Sequence, residues 1–109
     1  MVPAQVYKKF ITEFVRRHMV IFGTNIAVEI AASVDGLTVD KTGEVTEITG
    51  VPVAALQTLV SKYQELSESV VFLQLRLLLD KYPKIFLEYN QQIPNIRLSC
   101  ELISHIHTK

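Results

Sequence analysis

The fold depends most on residues 51–82, VPVAALQTLVSKYQELSESVVFLQLRLLLDKY, whose second residue is Pro52 and which Pro83 follows. Large apolar residues recur in this stretch at alternating spacings of three and four, the spacing of one helix face and of a heptad seam. The residues on that face are Leu56, Leu59, Tyr63, Leu66, Val70, Leu73 and Leu77. The spacing predicts a long second helix over about 52–82.

The two halves of this predicted helix differ in composition. The first half has a polar opposite face, whereas residues 70–79 are apolar nearly all the way round. A helix that is apolar on all sides is buried on all sides, and each large side chain left in water would cost about 1.5–3 kcal/mol. The first helical block can pack into this seam within one chain, but that block and the C-terminal segment offer too little area to cover both sides of residues 70–79. We therefore predict self-association as a homodimer, which does not exclude packing within one chain. The predicted interface residues are Leu66, Val70, Leu73 and Leu77.

An earlier helical block covers about residues 3–34. Its core-type residues fall at every fourth position, namely Val6, Phe10, Phe14, His18, Phe22, Ile26 and Ile30. This is helical spacing rather than the alternation of a strand. Gly23 interrupts the block, so two helices joined by a kink and one helix containing a destabilising glycine both fit the sequence.

A β-hairpin is predicted between the two helical blocks. Apolar and polar residues alternate on both sides of the segment Asp40-Lys41-Thr42-Gly43. Its aspartate and glycine match a type I turn followed by a left-handed glycine. We therefore expect a short hairpin over about 37–48, in which residues 37–40 pair with residues 44–48.

The C-terminal block, residues 84–109, carries two patterns. Ile85, Phe86 and Tyr89 fit a short helix that begins at Pro83, whereas residues 96–102 alternate as a strand does. We prefer helices here because the rest of the chain is rich in helical patterns. The predicted fold is thus mainly α, a single small helical domain over 1–109 with one short β-hairpin. The runner-up is α+β with a C-terminal hairpin.

Composition limits the class of protein. The chain has 109 residues, 49% of them hydrophobic, and a formal net charge of zero, which fits one globular domain and argues against disorder. With Cys100 as its one cysteine it forms no internal disulfide, and its apolar stretches are too short to span a bilayer. The N-terminus lacks the features of a signal peptide, so we expect a cytoplasmic protein without a transmembrane segment.

Four basic residues, Lys8, Lys9, Arg16 and Arg17, form two pairs spaced by about two helical turns. They predict a basic edge that can meet phosphates, an anionic membrane, the acidic middle segment of this chain or a partner subunit. Four charges without an aromatic stacking platform are few for nucleic acid, which we do not expect as a partner.

No convincing catalytic or metal site is visible. The four glycines are isolated, His18 has no nucleophile nearby in sequence, and neither a helix nor a strand brings Cys100, His105 and His107 together. We therefore predict a non-catalytic interaction or regulatory module with no metal or cofactor. The alternative is a small sensor or carrier domain that holds an apolar ligand between the main helices. The predicted lining residues are Phe14, His18, Phe22 and Leu73.

Overall fold

The computed structural model describes residues 2–92, with side chains described for residues 2–90. Within this range the chain is mainly helical and contains one two-stranded antiparallel sheet, as predicted. The elements are α1 (Ala4–Phe22), α2 (Thr24–Ala32), β1 (Leu37–Val39), β2 (Val45–Ile48), α3 (Pro52–Gln64), α4 (Glu68–Lys81) and α5 (Pro83–Gln92). The short helix predicted from Pro83 is confirmed. The alternative C-terminal hairpin and the residues Cys100, His105 and His107 lie outside the described residues.

The first helical block consists of two helices. Gly23 separates them with a φ of 98°, a backbone conformation that glycine adopts without the strain of a Cβ atom. Its amide donates to the carbonyl of Met19 at 3.0 Å, and its carbonyl accepts from the amide of Ala27 at 3.1 Å. Of the two structures that fit the sequence, the chain therefore adopts the one with a break at Gly23.

The predicted hairpin is present, with Leu37 opposite Ile48 and Val39 opposite Val45. Oδ1 of Asp40 accepts hydrogen bonds from the hydroxyl of Thr42 at 2.6 Å and from the amides of Thr42 at 2.8 Å and Glu44 at 3.1 Å. These hydrogen bonds, the one from the Thr42 hydroxyl above all, hold the pKa of the Asp40 carboxyl below its usual range. The turn residues of the sequence thus form the turn that they predict.

The hairpin is docked on α1. The amide of Val45 donates to Oγ1 of Thr12 at 3.0 Å, and Nε of Arg16 donates to the carbonyl of Thr42 at 3.3 Å. Gly43 has a φ of 85°, and a Cβ atom added there would lie 2.5 Å from Sδ of Met19. The positive φ favours glycine at this position, and a larger residue would in addition have to displace the flexible side chain of Met19.

The long second helix predicted over 52–82 requires one correction, because the structure divides it into α3 and α4 at residues 65–67. The amides of Leu66 and Ser67 both donate to the carbonyl of Tyr63, at 2.9 and 3.3 Å, which ends α3. Ser67 is extended, with φ −161° and ψ 103°, and begins α4 as its N-cap, with Glu68 in the first turn. A serine N-cap and an acidic first turn both favour a helix start.

The hydrophobic core lies between α1 and the three later helices. It is formed mainly by large side chains with almost no exposed surface, namely Tyr7, Phe10, Ile11, Phe14, Leu56, Leu59, Tyr63, Leu75, Leu78, Ile85 and Tyr89. Tyr82 closes one edge of this core, where its ring meets Phe10 edge-on at a centroid distance of 5.2 Å.

Candidate functional site

The outward side of α4 carries the predicted interface residues. Leu66 is 49% exposed, Leu73 55% and Leu77 46%, and Val70 is half-buried. We call these four residues the outer face of α4, although Leu66 lies in the turn just before the helix. On no other helix of the described residues do exposed large apolar side chains repeat at a spacing of three or four.

The position of this face follows from helix geometry. Each residue advances the helix by about 100°, so Leu73 and Leu77 lie opposite Leu75. Leu75 is fully buried, and the other buried residues of α4, Val71, Leu78 and Leu79, lie on the same side as Leu75. The helix is thus apolar on two opposite sides, and the fold covers one of them.

Polar and charged groups border the outer face of α4. On one flank Oε1 of Gln74 accepts a hydrogen bond from Nη1 of Arg17 at 3.1 Å. On the other flank the guanidinium of Arg76 lies 6.0 Å from the ring centroid of Phe72. The exposed leucines of the outer face of α4 therefore have polar side chains on both flanks.

His18 lies in an aromatic cluster between α1 and α3. Its ring is fully buried and stacks on Tyr63 with a centroid distance of 4.4 Å and an interplanar angle of 16°. The rings of Phe14 and Phe22 lie 4.5 and 5.6 Å from it. The hydroxyl of Tyr63 donates to the carbonyl of Ala27 at 2.8 Å, which ties α3 to α2 as well.

The two ring nitrogens of His18 have different surroundings. Nδ1 lies 2.7 Å from the carbonyl oxygen of Phe14, so Nδ1 carries the proton and donates it. Nε2 is buried and has no hydrogen-bond partner among the described residues. Burial lowers the pKa of His18, the positive charge of Arg17 lowers it further, and the bond to Phe14 only partly opposes them. The imidazole is therefore held neutral.

The residues proposed to line a ligand site do not share one pocket. Phe14, His18 and Phe22 pack against Tyr63, whereas Leu73 lies on the outer face of α4. The sequence pattern identified the first three as neighbours along one helix face. It did not predict that Tyr63 of α3 packs against these three rings.

The structure separates the four predicted basic residues into two groups. Lys8, Lys9 and Arg16 line an open groove of about 640 Å³ on the exposed side of α1, whereas Arg17 turns toward Gln74 of α4. The full lining of the groove is Gln5, Lys8, Lys9, Thr12, Glu13, Arg16, Glu44, Val45 and Tyr82. Glu44, Val45 and Tyr82 lie far from residues 8–17 in the sequence, so the spacing of the basic residues does not predict that they line the groove.

Glu13 connects α1 to the end of α4. Its Oε2 accepts from Nζ of Lys81 at 3.1 Å, and its Oε1 accepts from the hydroxyl of Tyr82 at 2.9 Å. Burial alone would raise the pKa of Glu13, but these two hydrogen bonds and the charges of Lys81 and Arg17 outweigh it and lower the pKa. Glu13 is thus a carboxylate whose two oxygens are both engaged.

The described residues contain neither a metal centre nor a membrane-spanning helix. No group of three or more His, Cys, Asp or Glu side chains in this part of the chain is arranged to hold a metal ion. None of its helices combines the length and the apolar character needed to cross a membrane. Comparisons with known protein families, with curated proteins and with solved structures found no match.

Proposed function

We propose that this chain is a non-catalytic interaction or regulatory module that forms a homodimer through the outer face of α4. The observation that carries the proposal is the exposure of Leu66, Leu73 and Leu77 on the side of α4 that faces away from the core. Full burial of an exposed leucine is worth about 1.5–3 kcal/mol, and these leucines are about half exposed, so covering each of them stabilises an association by about half of that amount.

A second copy of the chain is the occupant that the spacing favours. Within α4, Val70, Leu73 and Leu77 are separated by three and four residues, the spacing of the seam of a two-helix pair, and Leu66 lies in the turn just before them. In a two-fold dimer the same face meets itself, so a self-complementary stripe suffices. Because the inner side of α4 is packed in the core, the dimer does not have to form this helix anew.

The experiment is sedimentation equilibrium of the full chain over 1–200 µM, for the wild type and for Leu73→Gln/Leu77→Gln. We expect a reversible dimer whose dissociation constant increases at least about tenfold in the variant, because each copy loses two buried leucines. Leu87→Gln on α5 is the matched control, since Leu87 is 61% exposed and lies outside the outer face of α4. Circular dichroism verifies that both variants keep the fold.

A wild-type chain that stays monomeric throughout that range would refute the homodimer. Equal weakening of the dimer by Leu73→Gln/Leu77→Gln and by Leu87→Gln would refute the assignment of the interface to α4.

We also propose a cytoplasmic location, because a chain whose one cysteine is Cys100 forms no internal disulfide and so fits a reducing compartment.

The second candidate function is a carrier of an apolar ligand. One observation favours it, namely the buried Nε2 of His18, which is an acceptor without a donor among the described residues. Because Nε2 is buried, a ligand would reach it only if the helices packed around His18 separate. Mass spectrometry of the denatured protein tests the idea, and an empty protein whose melting temperature ignores added hydrophobic ligands would count against it.

A further inference from the structure

The groove on the exposed side of α1 has walls formed by other parts of the fold. Strand β2 forms one wall, held by the hydrogen bond from the Val45 amide to Thr12. Tyr82 forms the other wall, held by its hydrogen bond to Glu13. The groove has a volume of about 640 Å³ and is largely open to solvent, so a ligand there would be held at the surface.

The groove presents mainly hydrogen-bond donors. Within the described residues, the ammonium groups of Lys8 and Lys9 have neither a hydrogen bond nor a carboxylate within 4.0 Å. The guanidinium of Arg16 uses only its Nε, on the carbonyl of Thr42, which leaves its two terminal amines. The hydroxyl of Thr12 accepts from the Val45 amide and keeps its own proton to donate.

The negative charges in the groove do not cancel these donors. Both oxygens of Glu13 are engaged by Lys81 and Tyr82, and its charge is balanced by the ammonium of Lys81. Glu44 is then the one remaining carboxylate among the described lining residues, against three cations. The carboxylate of Asp40 also lies near Arg16, so two carboxylates face three cations and the balance stays positive through Lys8 and Lys9.

We propose that this groove binds the phosphate group of a phosphate-bearing ligand. Lys8, Thr12 and Arg16 follow each other at intervals of four residues, which spreads the donors over about 12 Å of helix. That length suits a ligand with more than one anionic oxygen cluster, and arginine with lysine is the usual pair for phosphate recognition. The site is distinct from the outer face of α4 and does not depend on the dimer.

The test uses the full chain and inorganic pyrophosphate as the probe, followed by NMR and by calorimetry at low ionic strength. We expect saturable binding that shifts the amide signals of Thr12 and Val45 and weakens with added salt. In Lys8→Gln/Lys9→Gln the affinity should fall about tenfold or more, since two charge-assisted bonds are lost. The matched control is Lys62→Gln/Lys84→Gln, which removes the same charge elsewhere and should change the affinity less than about twofold.

Two results would overturn the proposal. One is the absence of saturable pyrophosphate binding. The other is an equal loss of pyrophosphate affinity in the two double-lysine variants, which would indicate a diffuse charge effect.

Vesicles of phosphatidylglycerol distinguish the source of the phosphate: if pyrophosphate binds and the vesicles also bind through Lys8 and Lys9, the ligand is a lipid headgroup. If only pyrophosphate binds, it is a soluble phosphate. Leu73→Gln/Leu77→Gln should keep the binding, which separates this test from that of the dimer.

Discussion

Helices α3 and α4 come from one apolar pattern in the sequence, but the structure buries opposite parts of it. In α3 the residues of the pattern, Leu56, Leu59 and Tyr63, are fully buried. In α4 its continuation, Leu73 and Leu77, is about half exposed, and the core takes the other side of the helix. Helical spacing therefore identifies a face, but where a helix is apolar on two sides the spacing does not decide which side packs.

The largest expected effect separates these two helices directly. Leu59→Ala in α3 should lower the free energy of unfolding by about 2–5 kcal/mol, because it leaves a cavity in the core. Leu73→Ala in α4 should cost less than about 0.5 kcal/mol at a concentration where the chain is monomeric. Urea denaturation measures both. Similar losses for the two variants would mean that the outer face of α4 is covered within one chain.

A smaller effect is expected at the end of α3. Tyr63→Phe should lower the free energy of unfolding by about 1–2 kcal/mol, because the buried carbonyl of Ala27 loses a hydrogen-bond donor. Tyr82→Phe is the matched control, since its hydroxyl bonds Glu13 at a half-buried position and should contribute less. If the control variant proved the more destabilised, the junction between α2 and α3 would not be anchored by Tyr63.

Acid should weaken the packing of α1 against α3, because this contact contains His18. The packing of α4 should not depend on pH in the same way, because the residues that α4 buries are all apolar. The folded state holds His18 neutral, and the unfolded chain takes up a proton below a pH of about 6.5. The contribution is therefore complete above that pH and is lost progressively as the pH falls below it. The pKa values of Glu13 and Asp40 are also lowered, so their effects begin at more acidic pH.

Urea denaturation at several pH values measures this dependence in the wild type and in His18→Phe. The variant keeps an aromatic ring against Tyr63 but has no group to protonate, so its stability should be flat in that window. An equally steep decline in His18→Phe would assign the pH dependence to other groups.

The smallest expected effect concerns the break between α3 and α4. Ser67 occupies the N-cap position of α4, but its side chain makes no capping hydrogen bond. Ser67→Ala should therefore change the free energy of unfolding by less than about 0.5 kcal/mol, below the usual contribution of a capping serine. A loss above about 1 kcal/mol would show that the hydroxyl, rather than packing on both sides of the turn, holds the break.

Local signals were sufficient for most elements of the fold. Residues 40–43 predicted their turn because the aspartate side chain accepts hydrogen bonds from the residues that follow it and glycine adopts a positive φ, both of which are local effects. Pro83 predicted the start of α5 for the same kind of reason. The turn at 65–67 was not predicted, because it contains neither glycine nor proline and the apolar spacing continues through it.

The candidate sites were predictable only in part. Lys8, Lys9 and Arg16 share a helix edge, and the sequence shows this. Glu44, Val45 and Tyr82, which make that edge into a groove, come from distant parts of the chain. Likewise His18 was visible as a histidine on an apolar face, but its stacking on Tyr63 depends on how α1 and α3 pack.

By itself the sequence determined the helical class, the hairpin and its turn, and the apolar excess of residues 70–79, because these depend on local backbone preferences and on side-chain spacing. Only the tertiary structure decided that Leu75 faces inward while Leu73 and Leu77 face outward. The physical reason is that both sides of α4 are apolar enough to be buried. The choice between them is made by the shape of the surface that α1 and α3 offer.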